Sequence, residues 1–171
     1  MRYLLFILII LSFKICYSQQ IVVINIDYVV NNNNDFKNFL ESIKIDQIDH
    51  RKNFDKLDID IKEKINEIDE LKIILNKQEL DNKINENENL LIQFNKKINR
   101  FNLHYDNQIN DFKKLILDRL LILLQEYASE NKIDLILNDK SYIIASNSID
   151  ISKIILEKLN NYRFDIKLVP Y

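Results

Sequence analysis

The fold is decided by residues 94–127, which read FNKKINRFNLHYDNQINDFKKLILDRLLILLQEY. Aromatic and aliphatic side chains recur along this segment at a helical spacing, with ten of them separated by nine steps of about 3.67 residues. This 11-residue repeat predicts a long helix that packs nearly straight, or with a slight right-handed twist, against a partner. The ten positions are Phe94, Ile98, Phe101, Tyr105, Ile109, Phe112, Ile116, Leu120, Leu123 and Tyr127.

The surrounding stretch, residues 35–132, contains no glycine and no proline. Since globular helices typically run 8–20 residues, this stretch predicts either one very long helix or a helical hairpin. A hairpin would turn within the segment Asn76–Asn89, either at Asn76–Glu79 or in the Asn-rich run Asn82–Asn89, and neither site contains glycine. The upstream half of the hairpin carries its own apolar stripe at Leu57, Ile61, Ile65, Ile68 and Leu75.

The segments on either side of this stretch have the composition of β-strands. Residues 21–26, IVVINI, predict a buried strand, with a short turn of helix capped by Asp27 after it. Ile133–Leu137 and Tyr142–Ala145 predict two more strands, joined as a hairpin across Asn138–Lys140.

The predicted fold class is α+β, with a long antiparallel helical hairpin on a small β body. The hairpin takes residues 35–132 and begins at an Asp35 cap, and the body takes residues 19–34 and 133–160. Asp150 caps a short C-terminal helix whose buried face is Ile151, Ile154, Ile155 and Leu159. Residues 161–171 predict a loose tail. Such a small body usually needs help from partner chains, so assembly is expected.

The first 18 residues have the layout of a cleaved signal peptide. Arg2 precedes an apolar run, Leu4–Phe13, and a small residue, Ser18, stands before the expected cut. A run of about ten residues is short for a membrane span, which makes an uncleaved anchor the less favoured alternative. Lipidation at Cys16 is disfavoured because the preceding residues, Lys14 and Ile15, are not small. The mature chain would then contain no cysteine and depend on packing or oligomerisation for stability.

Charge and composition exclude several functions. Cleavage would remove Arg2 and Lys14, which leaves 22 basic and 26 acidic side chains, a net charge of −4. An acidic chain without a concentrated basic face is not expected to bind nucleic acid. The mature chain would have no cysteine nucleophile and no glycine for a phosphate loop, so we expect no enzyme and no cofactor.

The two histidines of the chain, His50 and His104, lie in opposite halves of the predicted hairpin. They would face each other if the turn were centred between Lys77 and Gln78, and could then form a metal site or a pH-sensitive contact. A turn in the Asn-rich run would separate them. We favour the simpler interpretation of two solvated histidines on helix surfaces, with no metal bound.

Three segments carry a resemblance to a known family. They are Ile21–Asp27, Ile133–Leu137 and the closing Asp150–Leu156, with Ser146-Asn147-Ser148 before the last of them. In this order, with a signal peptide before and about a hundred helical residues between, the chain resembles the Skp/OmpH family from Ile21 to about Leu159. These proteins are periplasmic chaperones of outer-membrane proteins in Gram-negative bacteria.

The resemblance implies a homotrimer in which strands of three chains form the body and three hairpins enclose a cavity. Unfolded outer-membrane proteins would be held there without ATP. Alignment on Phe94 and Phe101 puts the hairpin tip near Asn76–Glu79, which we therefore prefer. Client-contact candidates are Ile73, Ile74, Leu80, Leu90 and Leu91, and trimer-body candidates are Val22, Ile24, Ile133, Leu135, Leu137 and Ile143.

One property departs from the family. Familiar members are strongly basic, whereas residues 42–71 of this chain carry a local charge of −3 and residues 72–101 only +2. A hydrophobic cage is therefore favoured over electrostatic capture, and a lipid or lipopolysaccharide surface is a secondary candidate partner. The alternative function is a structural coiled-coil protein of the cell envelope, although a plain coiled coil would not need strands at both ends.

Overall fold

The computed structural model describes residues 19–171, so the predicted signal peptide, residues 1–18, lies outside the described residues. Within them, no helix is both long enough and apolar enough to cross a membrane. The architecture is the predicted one, a long helical hairpin on a small body with two strands and a short C-terminal helix. In chain order the elements are β1 (Ile21–Ile24), α1 (Ile26–Asn32), α2 (Asn34–Leu71), α3 (Lys77–Asn131), β2 (Leu135–Asn138), two 3₁₀ turns (Asp139–Ser141 and Asn147–Ile149) and α4 (Ser152–Asn160).

The two long helices form an antiparallel hairpin, which we call the arm. Helix α2 has 38 residues and α3 has 55, so at 1.5 Å per residue they are about 57 and 82 Å long. The predicted stripe of α3 is confirmed, since all ten of its positions are buried or half-buried. The α2 stripe is only partly right: Ile61 is buried, but Leu57 and Ile65 lie at the exposed edge, because two helices close over one narrow stripe of each. The buried face of α2 is Phe36, Phe39, Ile43, Phe54 and Ile61.

The turn of the hairpin lies just before the preferred site. Helix α2 ends at Leu71, and Asn76 is the N-cap of α3. The Asn76 side chain accepts from the Glu79 N–H (3.0 Å), and the Glu79 carboxylate accepts from the Asn76 N–H (3.4 Å), which completes a capping box. Asn76–Glu79 therefore begins a helix instead of forming the turn. The alternative turn at Asn82–Asn89 is wrong, because that run lies inside α3.

The strands pair differently from the prediction. β1 and β2 run parallel, in register from Ile21 opposite Leu135 to Ile24 opposite Asn138. The predicted third strand, Tyr142–Ala145, is wrong, and with it the hairpin between strands two and three. Its physical cause is the Asn138 side chain, which accepts from the Asp139 N–H (2.9 Å) and starts a 3₁₀ turn that leads the chain off the sheet.

The residues just before α4 contact the edge of β1 that faces away from β2. Asp150 forms a parallel bridge with Val23, and the Ile151 N–H donates to the Val23 carbonyl oxygen (2.9 Å). The Asn25 N–H donates to the Ser152 hydroxyl oxygen (2.8 Å), and the Asp150 carboxylate accepts from the Ser152 N–H. The start of α4 therefore adds to the edge of β1 that β2 leaves free.

Asparagines form the joints between elements. Asn25 caps α1 and Asn33 caps α2, where the prediction had Asp27 and Asp35. Both aspartates lie instead in the first helical turn, where a carboxylate is favoured by the helix dipole. Lys132 follows the C-terminal end of α3 and has a φ of 55°. Among residues 19–171 it is the one with a positive φ, a left-handed conformation that glycine usually adopts at helix ends.

The segment after α4 packs against the arm, so the prediction of a loose tail is wrong. We call residues 163–171 the strap. Phe164, Ile166 and Leu168 pack on the core, and the Phe164 N–H donates to the Asp35 carboxylate (3.1 Å). The strap thus covers the base of the arm, together with α1 and α4.

Aromatic rings in edge-to-face contact stabilise the core of the arm from its base to its middle. Phe39 meets Phe112 at 5.1 Å between centroids and an interplanar angle of 90°. Phe54 meets Phe101 at 5.0 Å, and Phe101 meets Tyr105 at 5.1 Å. Each such pair contributes about 0.5–1.5 kcal/mol beyond its buried area. The base is therefore the well-packed end of the arm.

The cap at Asn76 should control fraying at the tip. We expect Asn76→Ala to cost about 1 kcal/mol, because the first turn of α3 loses its side-chain acceptor. The Glu79 amide should then exchange its hydrogen about fivefold faster. Gln78→Ala, in the same turn, is the control. Unchanged exchange at Glu79 would contradict the capping role.

Tyr105 should make stability depend on alkaline pH. Burial, followed by its hydrogen bond to Asp46, raises the pKa of Tyr105 from 10.0 to about 12. The neutral phenol is favoured in the folded state, so its contribution is full below pH 10 and lost as the pH rises through about 12. Urea unfolding should show wild type losing more stability than Tyr105→Phe over this interval. Tyr28→Phe is the control and should lose as much stability as wild type. Equal losses of stability in wild type and Tyr105→Phe would contradict this role of Tyr105.

Candidate functional site

The tip of the arm presents two isoleucines to solvent. Ile73 and Ile74 are 93% and 78% exposed in the short link between α2 and α3. The link itself is hydrogen-bonded, since the Ile74 and Leu75 N–H groups both donate to the Leu71 carbonyl oxygen at 3.0 Å. The two side chains are therefore held outward by an ordered turn. Such a pair gains free energy only when another apolar surface covers it.

The other three client-contact candidates lie further down the arm. Leu80 is half-buried, whereas Leu90 and Leu91 are both exposed over about two-fifths of their surface. They belong to two different cavities of the arm, Leu90 to the larger and Leu91 to the smaller. The structure thus separates the five candidates into an exposed tip pair, one packing residue and two cavity-lining residues.

The larger cavity, which we call the mid-arm groove, has a volume of about 920 Å³. Its apolar lining includes Leu57, Ile61, Leu90 and Phe94, and Tyr171 of the strap forms one end. Of the two exposed edge positions of α2, Leu57 lines this groove and Ile65 lines the smaller cavity. Charged side chains of both signs surround it, namely Asp60, Glu63, Lys64, Glu67, Lys96, Lys97 and Arg100.

The smaller cavity contains a buried polar group. It has a volume of about 240 Å³, and its lining includes Ile65, Ile84 and Leu91. Asn87 also lines it, and its side-chain oxygen is buried without a hydrogen-bond partner among residues 19–171. An unpaired buried carbonyl of this kind costs on the order of 1–3 kcal/mol. The outer half of the arm is therefore held together less strongly than its base.

His50 and His104 lie in the same part of the hairpin, where the ring of Tyr171 contacts both of them. The ring of Tyr171 lies 5.4 Å from that of His50 and 5.5 Å from that of His104. His104 Nε2 also donates to the Val169 carbonyl oxygen (2.7 Å). Both histidines are half-buried by the strap, so the interpretation of freely solvated side chains is incomplete. Residues 19–171 contain no group of three or more His, Cys, Asp or Glu side chains that could hold a metal ion.

The trimer-body candidates occupy different environments in the single chain. Ile24 is buried in the core of its own chain, and Val22, Ile133 and Leu137 are half-buried. Leu135 is about half exposed, whereas Ile143 is 98% exposed. Its neighbour Ile144, which the sequence analysis did not single out, is 88% exposed. The predicted third strand is thus an exposed apolar segment on the body.

Sequence reasoning missed two further parts of this region, the strap and Gln108. Gln108 on α3 hydrogen-bonds both the N–H and the carbonyl group of Val169. The available signal was the alternation of charged and apolar residues in RFDIKLV, residues 163–169, which is the period of an extended chain. That signal does not reveal which surface the segment covers.

Comparison with solved structures finds the same fold. A crystal structure of a candidate outer membrane chaperone (OmpH-like) from Caulobacter crescentus CB15 is similar with a TM-score of 0.56 and 13% sequence identity. The similarity covers 89% of this chain and 92% of that one. At this level of identity the match establishes the fold alone. Comparison with curated proteins finds no match.

The family is established by the sequence itself. Residues 20–159 match the family described as Outer membrane protein (OmpH-like). The matched region begins just before β1 and ends in α4, so it includes the body and the whole arm but stops short of the strap. The chain belongs to the OmpH-like family of outer membrane proteins.

Proposed function

We propose that the protein is an ATP-independent holdase chaperone, which binds unfolded outer-membrane proteins in the periplasm and prevents their aggregation. The observation that carries this proposal is the gradient along the arm. Its base is closed by aromatic packing, while its outer half presents the isoleucines of the tip and two cavities. An unfolded chain exposes apolar segments that such a surface can cover.

Several properties of the chain agree with this activity. The absence of glycine removes the Gly-rich loops on which phosphate-binding motifs depend, in keeping with action without nucleotide. Charges of both signs around the mid-arm groove favour contact with many sequences over capture of one acidic class of client. Apolar contact is non-directional and therefore tolerates varied clients.

The proposed active form is a homotrimer. A two-stranded sheet with four-residue strands is a small body for arms of this length, and isolated two-stranded sheets are marginally stable. Leu135, Ile143 and Ile144 are exposed apolar residues of that body that further copies could cover. Three arms around one axis would enclose a client from several sides, so that each individual contact can be weak.

The chaperone activity is tested by dilution of a denatured outer-membrane β-barrel protein into buffer without nucleotide. We expect a near-stoichiometric amount of the trimer to suppress light scattering. We expect Ile73→Ser with Ile74→Ser to weaken client binding roughly tenfold, because two isoleucines lose apolar area that is buried in the complex. Lys77→Ser, beside the tip, is the control. A wild-type protein that leaves aggregation unchanged would instead favour a structural coiled-coil protein of the envelope.

The assembly is tested by sedimentation. Wild-type mature protein should have three times the mass of one chain. Ile143→Asp with Ile144→Asp should shift it to monomer, since a buried unpaired charge is strongly unfavourable at an interface. Ile45→Asp, an exposed apolar residue of the arm, is the matched control and should stay trimeric. A monomeric wild type would overturn the trimer.

A further inference from the structure

The strap has the pattern of a strand from an outer-membrane β-barrel. Arg163, Asp165 and Lys167 are exposed, while Phe164, Ile166 and Leu168 between them are half-buried against the core. Strands of such barrels likewise alternate polar and apolar residues, with aromatic residues at the membrane interfaces. The strap also contains an aromatic residue, Tyr171, whose ring lies 5.2 Å from that of Phe101.

The arm recognises the backbone of the strap as well as its side chains. The Val169 N–H donates to Gln108 Oε1 (2.8 Å), and the Val169 carbonyl oxygen accepts from Gln108 Nε2 (3.0 Å). A side-chain amide that pairs with both backbone groups of one residue does what a neighbouring strand would do. His104 Nε2 adds a second donor to the same carbonyl oxygen. These contacts do not depend on the side chain of residue 169, so another extended chain could make them.

The surface under the strap is continuous with the mid-arm groove. Tyr171 packs on Phe101 and also lines the groove, whose apolar walls continue toward the tip through Phe94, Leu90 and Ile61. One surface therefore runs from the base of the arm, where the strap lies, to the outer half, where the proposed client contacts lie. An extended segment on it could follow the path of the strap.

We propose that the strap is an internal mimic of a client strand. The surface formed by His104, Gln108 and the mid-arm groove binds alternating polar–apolar segments of unfolded outer-membrane β-barrels in the same manner, and the strap competes with them. This inference rests on the proposed holdase function and names the class of segment that the arm takes. The strap lies outside residues 20–159, the region that matches the family.

The test uses a fluorescent peptide with the sequence of residues 162–171, YRFDIKLVPY, and a scrambled peptide in which the apolar residues are clustered. Anisotropy is measured with wild-type protein and with Leu168→Asp, which should detach the strap by placing a charge on its packed face. We expect Leu168→Asp to bind the alternating peptide about tenfold more tightly than wild type, since competition lowers apparent affinity. Lys167→Ala, on the exposed face, is the matched control and should equal wild type.

The backbone contacts are tested in the Leu168→Asp background. Adding Gln108→Ala should weaken binding of the alternating peptide by roughly fivefold, because two hydrogen bonds are lost in a partly exposed site. Asn99→Ala, an exposed position of α3 nearer the tip, should leave affinity unchanged. Equal affinity for the alternating and scrambled peptides would overturn the inference.

A measurement on wild-type protein makes the test independent of any variant's folding. Saturating alternating peptide should displace the strap and speed hydrogen exchange at the Val169 amide, whereas the scrambled peptide should not. Unchanged exchange at Val169 would overturn the inference. Aggregation suppression by both wild type and Leu168→Asp, without a difference in peptide affinity, would overturn the strap inference alone. Loss of suppression in both would overturn the holdase proposal.

Discussion

Edge-to-face packing of aromatic rings between α2 and α3 is the interaction on which the rest of the structure depends. Two antiparallel helices can bury only one stripe of side chains each. A long hairpin is therefore stable only where large side chains fill the space between the two stripes. Phe39 on Phe112 does so near the base, and Phe54 on Phe101 does so midway along the arm. Beyond Phe94 the large rings end, and a buried asparagine, Asn87, stands among aliphatic residues. Stability therefore falls toward the tip, and local opening should be easiest there.

The parallel pairing of β1 with β2 closes this hairpin at its other end. The two strands are separated in sequence by the whole arm, so their register holds both helix ends in one place. Antiparallel strands can be joined by a two-residue turn, but parallel strands need a long crossover, and here the arm is that crossover. The arm, which carries the proposed client contacts, is thus also the connection that the sheet requires.

Much of this architecture could be predicted from local patterns. The stripe from Phe94 to Tyr127 predicted α3, and the apolar segments at Ile21 and Ile133 predicted the two strands that pair. The predicted third strand failed because strand propensity at Tyr142–Ala145 says nothing about which partner edge is available. Here the Asn138 side chain starts a 3₁₀ turn that leads the chain away from β2, the predicted partner. Propensity is local, whereas pairing depends on the whole topology.

The candidate site was predictable to a similar extent. The exposure of Ile73 and Ile74 follows from their position at a helix break. The groove could not be foreseen, because one of its ends is formed by Tyr171, more than seventy residues away in sequence from Phe94. The capping box places the turn only a few residues before the predicted site. This difference changes which side chains face each other across the two helices. Small displacements along a helix become rotations around it, at about 100° per residue.

The left-handed residue Lys132 shows how this fold accommodates an unusual composition. Tight β-hairpins usually rely on glycine, and this chain has none. Its described joints are made instead by asparagine caps, a long helical crossover and one lysine in a strained backbone conformation. A fold assembled from such joints survives the loss of a residue type that most folds need. The architecture is therefore compatible with a chain that contains no glycine at all.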